Sequence, residues 1–573
     1  MKKQFKRFSP YLIFIVVALL VLLPQITTKS FLAGDDSFFH MNRFYDAAMQ
    51  IKTGKFNYFQ TNFGFQQTGR IINALYGPIF AYLNGLLLLI MHGWIRYEIA
   101  SSFLILVGSA SIMDWVGRKL NLSSGMSFLI GILYMLSNPI NAWVFSQQFT
   151  GWGAMLMPIL LLAGIKMVQN GDVKVLTLAI PMSLLLQVHV LSSLIGVLAL
   201  IPFFIAGLIK SEHRTLMVKH VSLAVILTIL LTGNIWSALL DVMGSNHLMP
   251  VFPVFDMDAQ AIGFQSYALH NVLNPAYIFI VILIILILVL NWRKLAFPFK
   301  VTSSVGIFFI WLSSSLFPWN TLAKIFPSIS DTIQFPKRFI AVGLSLLLLS
   351  IGYFLTNFKL IQRKQLFTIV IALIMVAPLI DFNAKLNAGV STWQSSSVIP
   401  KYNILMVYAK NRAHLRHDYQ SRKLTRVLNA VVKPSPDYLP IKHPLAANQY
   451  TAFRPYHLTH YTLVKANHHL KHYRVHVKSN GELAVKWYNP NQTSRQRVQL
   501  IKYRHSVIKE NGKRLHHVKT NQIGVMTLTS KHGWNHVTLA YQPRKIFIFA
   551  SLAALCSWLI MLGFVIIRKF KQN

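Results

Sequence analysis

Acidic side chains and sulfur are what this sequence has least of. Its 573 residues hold 16 Asp plus Glu against 56 Lys plus Arg, a formal charge of +40, so each carboxylate stands out. A single cysteine, Cys556, excludes an intrachain disulfide and any Cys-based metal site. Long polar stretches are scarce before residue 382. With 54% hydrophobic residues, a mean hydropathy of +0.46 and many apolar runs of about 16 to 24 residues, the chain is not a soluble protein with one large core. Two further absences argue against a transporter: the runs carry almost no ionisable residue at mid-depth beyond His189, and hydropathy shows no internal repeat.

What is present is a polytopic helical pattern. Lys2, Lys3, Lys6 and Arg7 precede an apolar run with no small-x-small cleavage signal after Leu23-Pro24-Gln25, the mark of an uncleaved signal anchor. Twelve spans are expected near 11–26, 97–117, 123–140, 150–168, 175–190, 191–209, 217–240, 274–291, 302–318, 339–357, 366–381 and 546–567. This count puts Arg118/Lys119, Lys166/Lys174, Lys210/Arg214, Arg293/Lys294, Lys359/Arg363/Lys364 and Arg568-Lys569-Phe570-Lys571 on one side. The positive-inside rule makes that side, and both termini, cytoplasmic. The stretch 71–91 breaks the alternation if it crosses. Gly77-Pro78 interrupts its start, so a re-entrant or interfacial helix covering the preceding loop is expected; alternatively it crosses and 175–209 is not a pair of spans.

From 382 to 545 the character changes. This segment holds 27 Lys plus Arg, 4 Asp plus Glu and 14 of the 21 histidines. Its first third reads as amphipathic helix around Ile404–Tyr408 and Leu424–Val432. Alternating stretches at 473–477, 483–487, 497–501, 525–528 and 536–541 follow, separated by Asn480-Gly481, Asn489-Pro490-Asn491 and Asn511-Gly512. The expected fold is therefore about twelve spans plus the extra helix, with a C-terminal extracytoplasmic α+β domain resembling a β-sandwich. The domains run 1–381 (transmembrane, with outer loop 27–96), 382–545 (basic, His-rich) and 546–573 (C-terminal anchor and tail). The pairs His468-His469 and His516-His517, and the spacing His468-x3-His472-x3-His476, suggest zinc, but no carboxylate or cysteine completes a set. A surface that grows more basic in acid fits better. Outside a cell its partners would be anionic lipid or anionic cell-wall polymer, and not nucleic acid.

Two short stretches carry chemistry. Gly34-Asp35-Asp36-Ser37-Phe38-Phe39-His40-Met41-Asn42-Arg43 places twin acids in the first outer loop; if Asp36 onward is helical, Asp36, His40 and Arg43 share one face. An acid, an imidazole and a guanidinium can bind a phosphate or metal and move a proton. The same Asp35 and Asp36 also suit a helix cap, and both readings stand. In Ile333-Gln334-Phe335-Pro336-Lys337-Arg338-Phe339, Lys337 and Arg338 fall at the outer headgroup level, where the positive-inside rule disfavours them. That suits an anionic ligand such as a lipid phosphate, or simple snorkelling. Gln147 and Gln148 lie in another outer loop, and His189 sits near the boundary between two spans.

The acidic loop followed by Tyr76-Gly77-Pro78 resembles the first outer loop of GT-C membrane glycosyltransferases, which use polyprenyl-phosphate sugars. Gln334-Phe335-Pro336-Lys337-Arg338 and Asp437-Tyr438-Leu439-Pro440 resemble bacterial integral membrane proteins named for a 6-pyruvoyl-tetrahydropterin synthase-related domain, although an aromatic is expected where Lys337 stands. The resemblance implies Asp35 or Asp36 as a base, or as ligands to a divalent cation such as Mg or Mn, with His40 orienting or relaying a proton. It implies Arg43, Lys337 and Arg338 on the lipid phosphate; Gln147, Gln148 and Gln334, in outer loops facing the same side, are further substrate-binding candidates. The expected function is a glycosyltransferase-like protein of the bacterial plasma membrane, modifying cell-envelope glycans on the outer face. The alternative is a non-catalytic protein that binds anionic wall polymer or lipid through its basic domain.

Overall fold

The computed structural model describes residues 2–263, 275–358, 364–396, 398–399, 405–465 and 470–570. Among them nine helices are long and apolar enough to cross a membrane: Pro10–Thr28, Trp94–Lys119, Ser124–Ser146, Thr150–Asn170, Val190–Lys210, Arg214–Leu231, Pro336–Asn357, Ala372–Gln394 and Lys545–Phe564. Helix is the form that satisfies every backbone N–H and C=O within one segment, which an apolar environment demands. Leu20, Ile209, Leu290 and Ile560 point outward and are more than half exposed, as in a membrane-embedded protein.

Val175–Val188, Tyr277–Leu290 and Phe297–Ser313 are shorter apolar helices, and so is Pro78–Met91. At ~1.5 Å per residue, the 14 residues of Pro78–Met91 reach roughly 21 Å, less than a hydrocarbon core of about 30 Å. Two expected spans differ from the sequence reading. Residues 217–240 break at Thr232, after which Gly233–Met243 forms its own helix. Helix Lys364–Gln394 runs on past residue 382. Lys359, Arg363, His468 and His469 lie outside the described residues.

The chain divides into two compact units, each assembled from three segments. The first comprises Met1–Ser37, Ile95–Thr228 and Val254–Pro400. Its helices approach closely at small residues: Gly164 lies against Phe203, Gly306 against Leu346 and Leu347, and Gly343 against Ile310.

The second comprises Phe38–Trp94, Ile229–Pro253 and Lys401–Asn573. Where amphipathic helix was expected around Ile404–Tyr408, a two-residue strand β1 (Met406–Val407) pairs with β2 (Val431–Val432). Then come β3 (Lys471–Val477), β4 (Leu483–Asn489), β5 (Ser494–Ile501), β6 (Ser506–Glu510), β7 (Lys513–Leu515), β8 (Lys519–Thr520), β9 (Val525–Ser530) and β10 (Gly533–Tyr541). They form two antiparallel sheets, ordered β3-β4-β10-β6-β7 and β5-β9-β8. Alternation buries Leu483, Val485, Trp487, Val537 and Leu539 of one sheet against Val498, Leu500, Met526 and Leu528 of the other. The Asn-Gly signals mark real turns, with Asn511 and Gly512 both at positive φ.

Loop 54–77 is built into this sandwich. Asn57 and Asn62 donate to the Gly481 carbonyl (3.1 and 2.8 Å), and Ile501 N–H donates to Thr68 (3.0 Å). Arg70 is buried, with Nη1 and Nη2 on the carbonyls of Ser435 (2.8 Å) and Asp437 (2.6 Å). The Asp437-Tyr438-Leu439-Pro440 stretch is thus a backbone splice, held further by Met249 N–H on the Leu439 carbonyl (2.6 Å).

Candidate functional site

Within the first unit, the acidic loop is fixed by a buried amide–carboxylate chain. Asp35 and Asp36 form a turn just before helix Ser37–Thr53, so Asp36 lies outside the helix. Gly34 N–H donates to Ser37 Oγ (2.7 Å) and Gln147 Oε1 (3.1 Å), and Ser37 Oγ is hydrogen-bonded to the same amide oxygen. Gln147 Nε2 donates to Glu98 Oε1 (3.1 Å). Glu98 Oε2 accepts from Gln25 Nε2 (2.8 Å) and Leu32 N–H (3.0 Å). Asp36 N–H donates to the Ser146 carbonyl (3.3 Å). Gly34 lies so close to the Ser146 backbone that a Cβ there would collide with it. Gln147 sits in the left-handed region (φ 49°) and is buried, so it orients the acidic turn.

The two carboxylates lie within electrostatic range of the Lys337 ammonium, as does the Arg338 guanidinium. Pro336–Phe339 is a single 3-10 turn that starts helix Ile340–Asn357 and presents both cations. Phe335 supports them, 5.2 Å from Lys337 Nζ and 4.8 Å from Arg338 Cζ at its ring centroid, and Arg338 Nη1 donates to the Ile333 carbonyl (2.7 Å). Gln334 is the left-handed residue of that bend (φ 55°).

Lys337 and Arg338 line a narrow cleft of ≈ 710 Å³, its open mouth included. Asn141, Ser146, Gln148 and Lys385 add polar groups, and Phe145, Met157 and Ile195 add apolar ones. Lys385 is ion-paired to Asp381 one helical turn away (2.9 Å). Ser192, also on the cleft, accepts or donates at His189 Nδ1 (2.8 Å). His189 itself is the break between helices Val175–Val188 and Val190–Lys210, and its ring caps the second by accepting from Ser192 N–H (3.3 Å).

His40 and Arg43 belong to the second unit. Arg43 is fully buried there: Nε donates to Asn73 Oδ1, Nη2 to the Tyr76 carbonyl, and Nη1 meets His40 Nδ1, each at 3.0 Å. Its guanidinium also lies 4.3 Å from the Tyr76 ring centroid. These bonds tie helix Ser37–Thr53 to the segment before Pro78–Met91. A buried acid one turn on, Asp46, accepts from Phe63 N–H (2.8 Å) and Gln50 Nε2 (2.7 Å), and burial pushes it up to about 7.

The first unit therefore gathers Asp35, Asp36, Lys337, Arg338 and Gln148 around one region, with Gln147 behind them. Glu98 and Lys385 escaped the sequence reading. Glu98 signalled itself as an acid near the start of an apolar run, and Lys385 as half of an Asp-x3-Lys pair. Among the described residues no three or more His, Cys, Asp or Glu gather as a metal site. Two adjacent carboxylates still fit a Mg ion, which commonly takes one or two carboxylates and completes its shell with water and phosphate oxygens. Compared with known proteins, the sequence matches no family model and no curated protein.

Proposed function

We propose that the first-unit cleft binds the phosphate of a polyprenyl-phosphate sugar and that the Asp35-Asp36 turn serves the transfer of that sugar to an envelope glycan. The observation that carries this reading is the convergence of twin carboxylates on the cation pair Lys337-Arg338 at a cleft framed by apolar helices. Cations beside the cleft would stabilise charge on the departing lipid phosphate, and the planar Arg338 fork matches phosphate oxygens. A carboxylate at the turn would take the proton from the acceptor hydroxyl as its oxygen bonds to the anomeric carbon and the bond to phosphate breaks. If a divalent cation binds, Asp35 and Asp36 would hold it, and it would supply further positive charge near the phosphate.

This reading places the cleft toward the outer leaflet, with both termini cytoplasmic and the basic sandwich outside. Membranes containing the full-length protein should transfer a radiolabelled sugar from a synthetic polyprenyl phosphate. Asp36→Asn should lower that transfer by about 10² to 10⁴-fold while the protein stays in the membrane. Undiminished transfer by this variant removes the acid from the mechanism.

A further inference from the structure

The outer face of the five-stranded sheet carries an arrangement that the transfer reading does not use. Register aligns basic side chains across neighbouring strands: Arg474 on β3 faces Lys486 on β4, which faces His536 on β10. One step along, Thr538 pairs with Lys509 on β6 and Lys509 with Arg514 on β7. Arg474, Lys486, Lys509 and Arg514 are all exposed. Like charges placed directly opposite one another weaken a sheet, so a row of them calls for an anion to compensate it. The sandwich does not supply one here: among the described residues no salt bridge reaches these cations, and Glu482 is taken by Lys478 (3.3 Å).

At the end of the same face sits an aromatic platform. Trp534 pairs with Tyr488, their rings 5.5 Å apart and nearly perpendicular, and Trp534 is 51% exposed. His472 lies beside both rings, at 6.1 and 6.4 Å, and Lys486 Nζ stands 4.2 Å from the Trp534 ring centroid. The exposed Trp534 ring and the half-buried Tyr488 beside a row of basic residues suit a chain that alternates flat apolar C–H faces with anionic groups.

We propose that this sheet face binds an anionic polysaccharide, its sugar rings stacking on Trp534 and Tyr488 and its carboxylates or phosphates meeting Arg474 and Lys486. A lipid surface fits less well. The apolar helix Lys545–Phe570 follows β10 at its Tyr541 end, and Trp534 lies seven residues up that strand. At ~3.3 Å per residue this separates the rings from the strand–helix junction by roughly 23 Å, beyond the ~10 Å reach of surface charge in salt. The site stands independently of the transfer reading.

The test uses the full-length protein in phosphatidylcholine nanodiscs, probed with polygalacturonate, dextran, inorganic polyphosphate, single-stranded DNA and phosphatidylserine vesicles. Polygalacturonate should bind at least about tenfold more tightly than every other probe. Trp534→Ala, and separately Arg474→Ala with Lys486→Ala, should each weaken it about tenfold or more, while Trp534→Phe retains most of the affinity. Asp36→Asn should bind as the parent does, whatever its transfer activity. Should an alanine variant fail to fold, Trp534→Gln and, separately, Arg474→Gln with Lys486→Gln give the same ordering. Equal affinity for polyphosphate, tighter binding of DNA or of the vesicles, or indifference to loss of Trp534 would each overturn the proposal.

Discussion

Glu98 is the residue on which the geometry of the acidic turn rests. Its two oxygens receive Gln147, Gln25 and the Leu32 N–H, so Glu98→Ala strands three buried donors at about 1–3 kcal/mol each. Glu98→Ala should therefore lower the melting temperature and abolish the proposed sugar transfer together, although Glu98 does not line the cleft. Glu98→Gln keeps the shape and should retain more of both. Gly34→Ala forces a Cβ into the Ser146 backbone and should cost about 1–3 kcal/mol by the same thermal measurement.

Asp46 gives a pH signature in the second unit. Folding lifts its carboxyl from an ordinary value near 4 to about 7, so the folded chain holds a proton that the unfolded chain releases. The stability tied to that proton is complete below pH ~4 and is lost as pH rises through about 7, roughly 4 kcal/mol in all. The melting temperature of the parent should fall across that window relative to Asp46→Asn; parallel curves would contradict this. Asp35 and Asp36 stood out in the sequence as adjacent acids in an acid-poor chain, and Lys337 and Arg338 as cations on the side that the positive-inside rule disfavours. The bonds of Gln147 to Gly34 and Glu98 were not legible, because both partners lie far away in sequence and only folding brings them together.

At the scale of elements, periodicity was a sound guide wherever burial follows it. The five alternating stretches became strands β3, β4, β5, β9 and β10, because Leu483, Val485, Trp487, Val498, Val537 and Leu539 alternate inward. Strands β6 to β8 were missed: they are short, and Lys509, Lys513, Arg514 and Lys519 give them no apolar rhythm. The break at Thr232 was equally hidden, since Gly233 must pack flush on Ala550 and hydropathy does not register close approach. Trp487 is the keystone of the sandwich, wholly buried with Nε1 donating to Gln496 and Ser530 (both 3.0 Å). Trp487→Ala should cost about 3–5 kcal/mol and expose the lysines and arginines of 471–541 to limited trypsin digestion, whereas Trp534→Ala should not.

At the scale of the whole molecule, composition announced a membrane protein, and the nine long apolar helices among the described residues, with outward-facing Leu and Ile, agree with it. The interleaving was not legible. Each unit is stitched from three stretches, and the loop at 54–77 joins the C-terminal sandwich as well as helix Ser37–Thr53 next to it in sequence. A linear division at residue 382 has no access to such pairing, because hydropathy reports what a segment avoids and not which partner it chooses.

The most direct measurement is the affinity of the purified protein for a synthetic polyprenyl phosphate, compared between the parent and Lys337→Ala with Arg338→Ala. Loss of two cations from the cleft should weaken binding by at least about tenfold, with Asp36→Asn close to the parent. Equal affinity in all three proteins would contradict a lipid-phosphate site at Lys337 and Arg338.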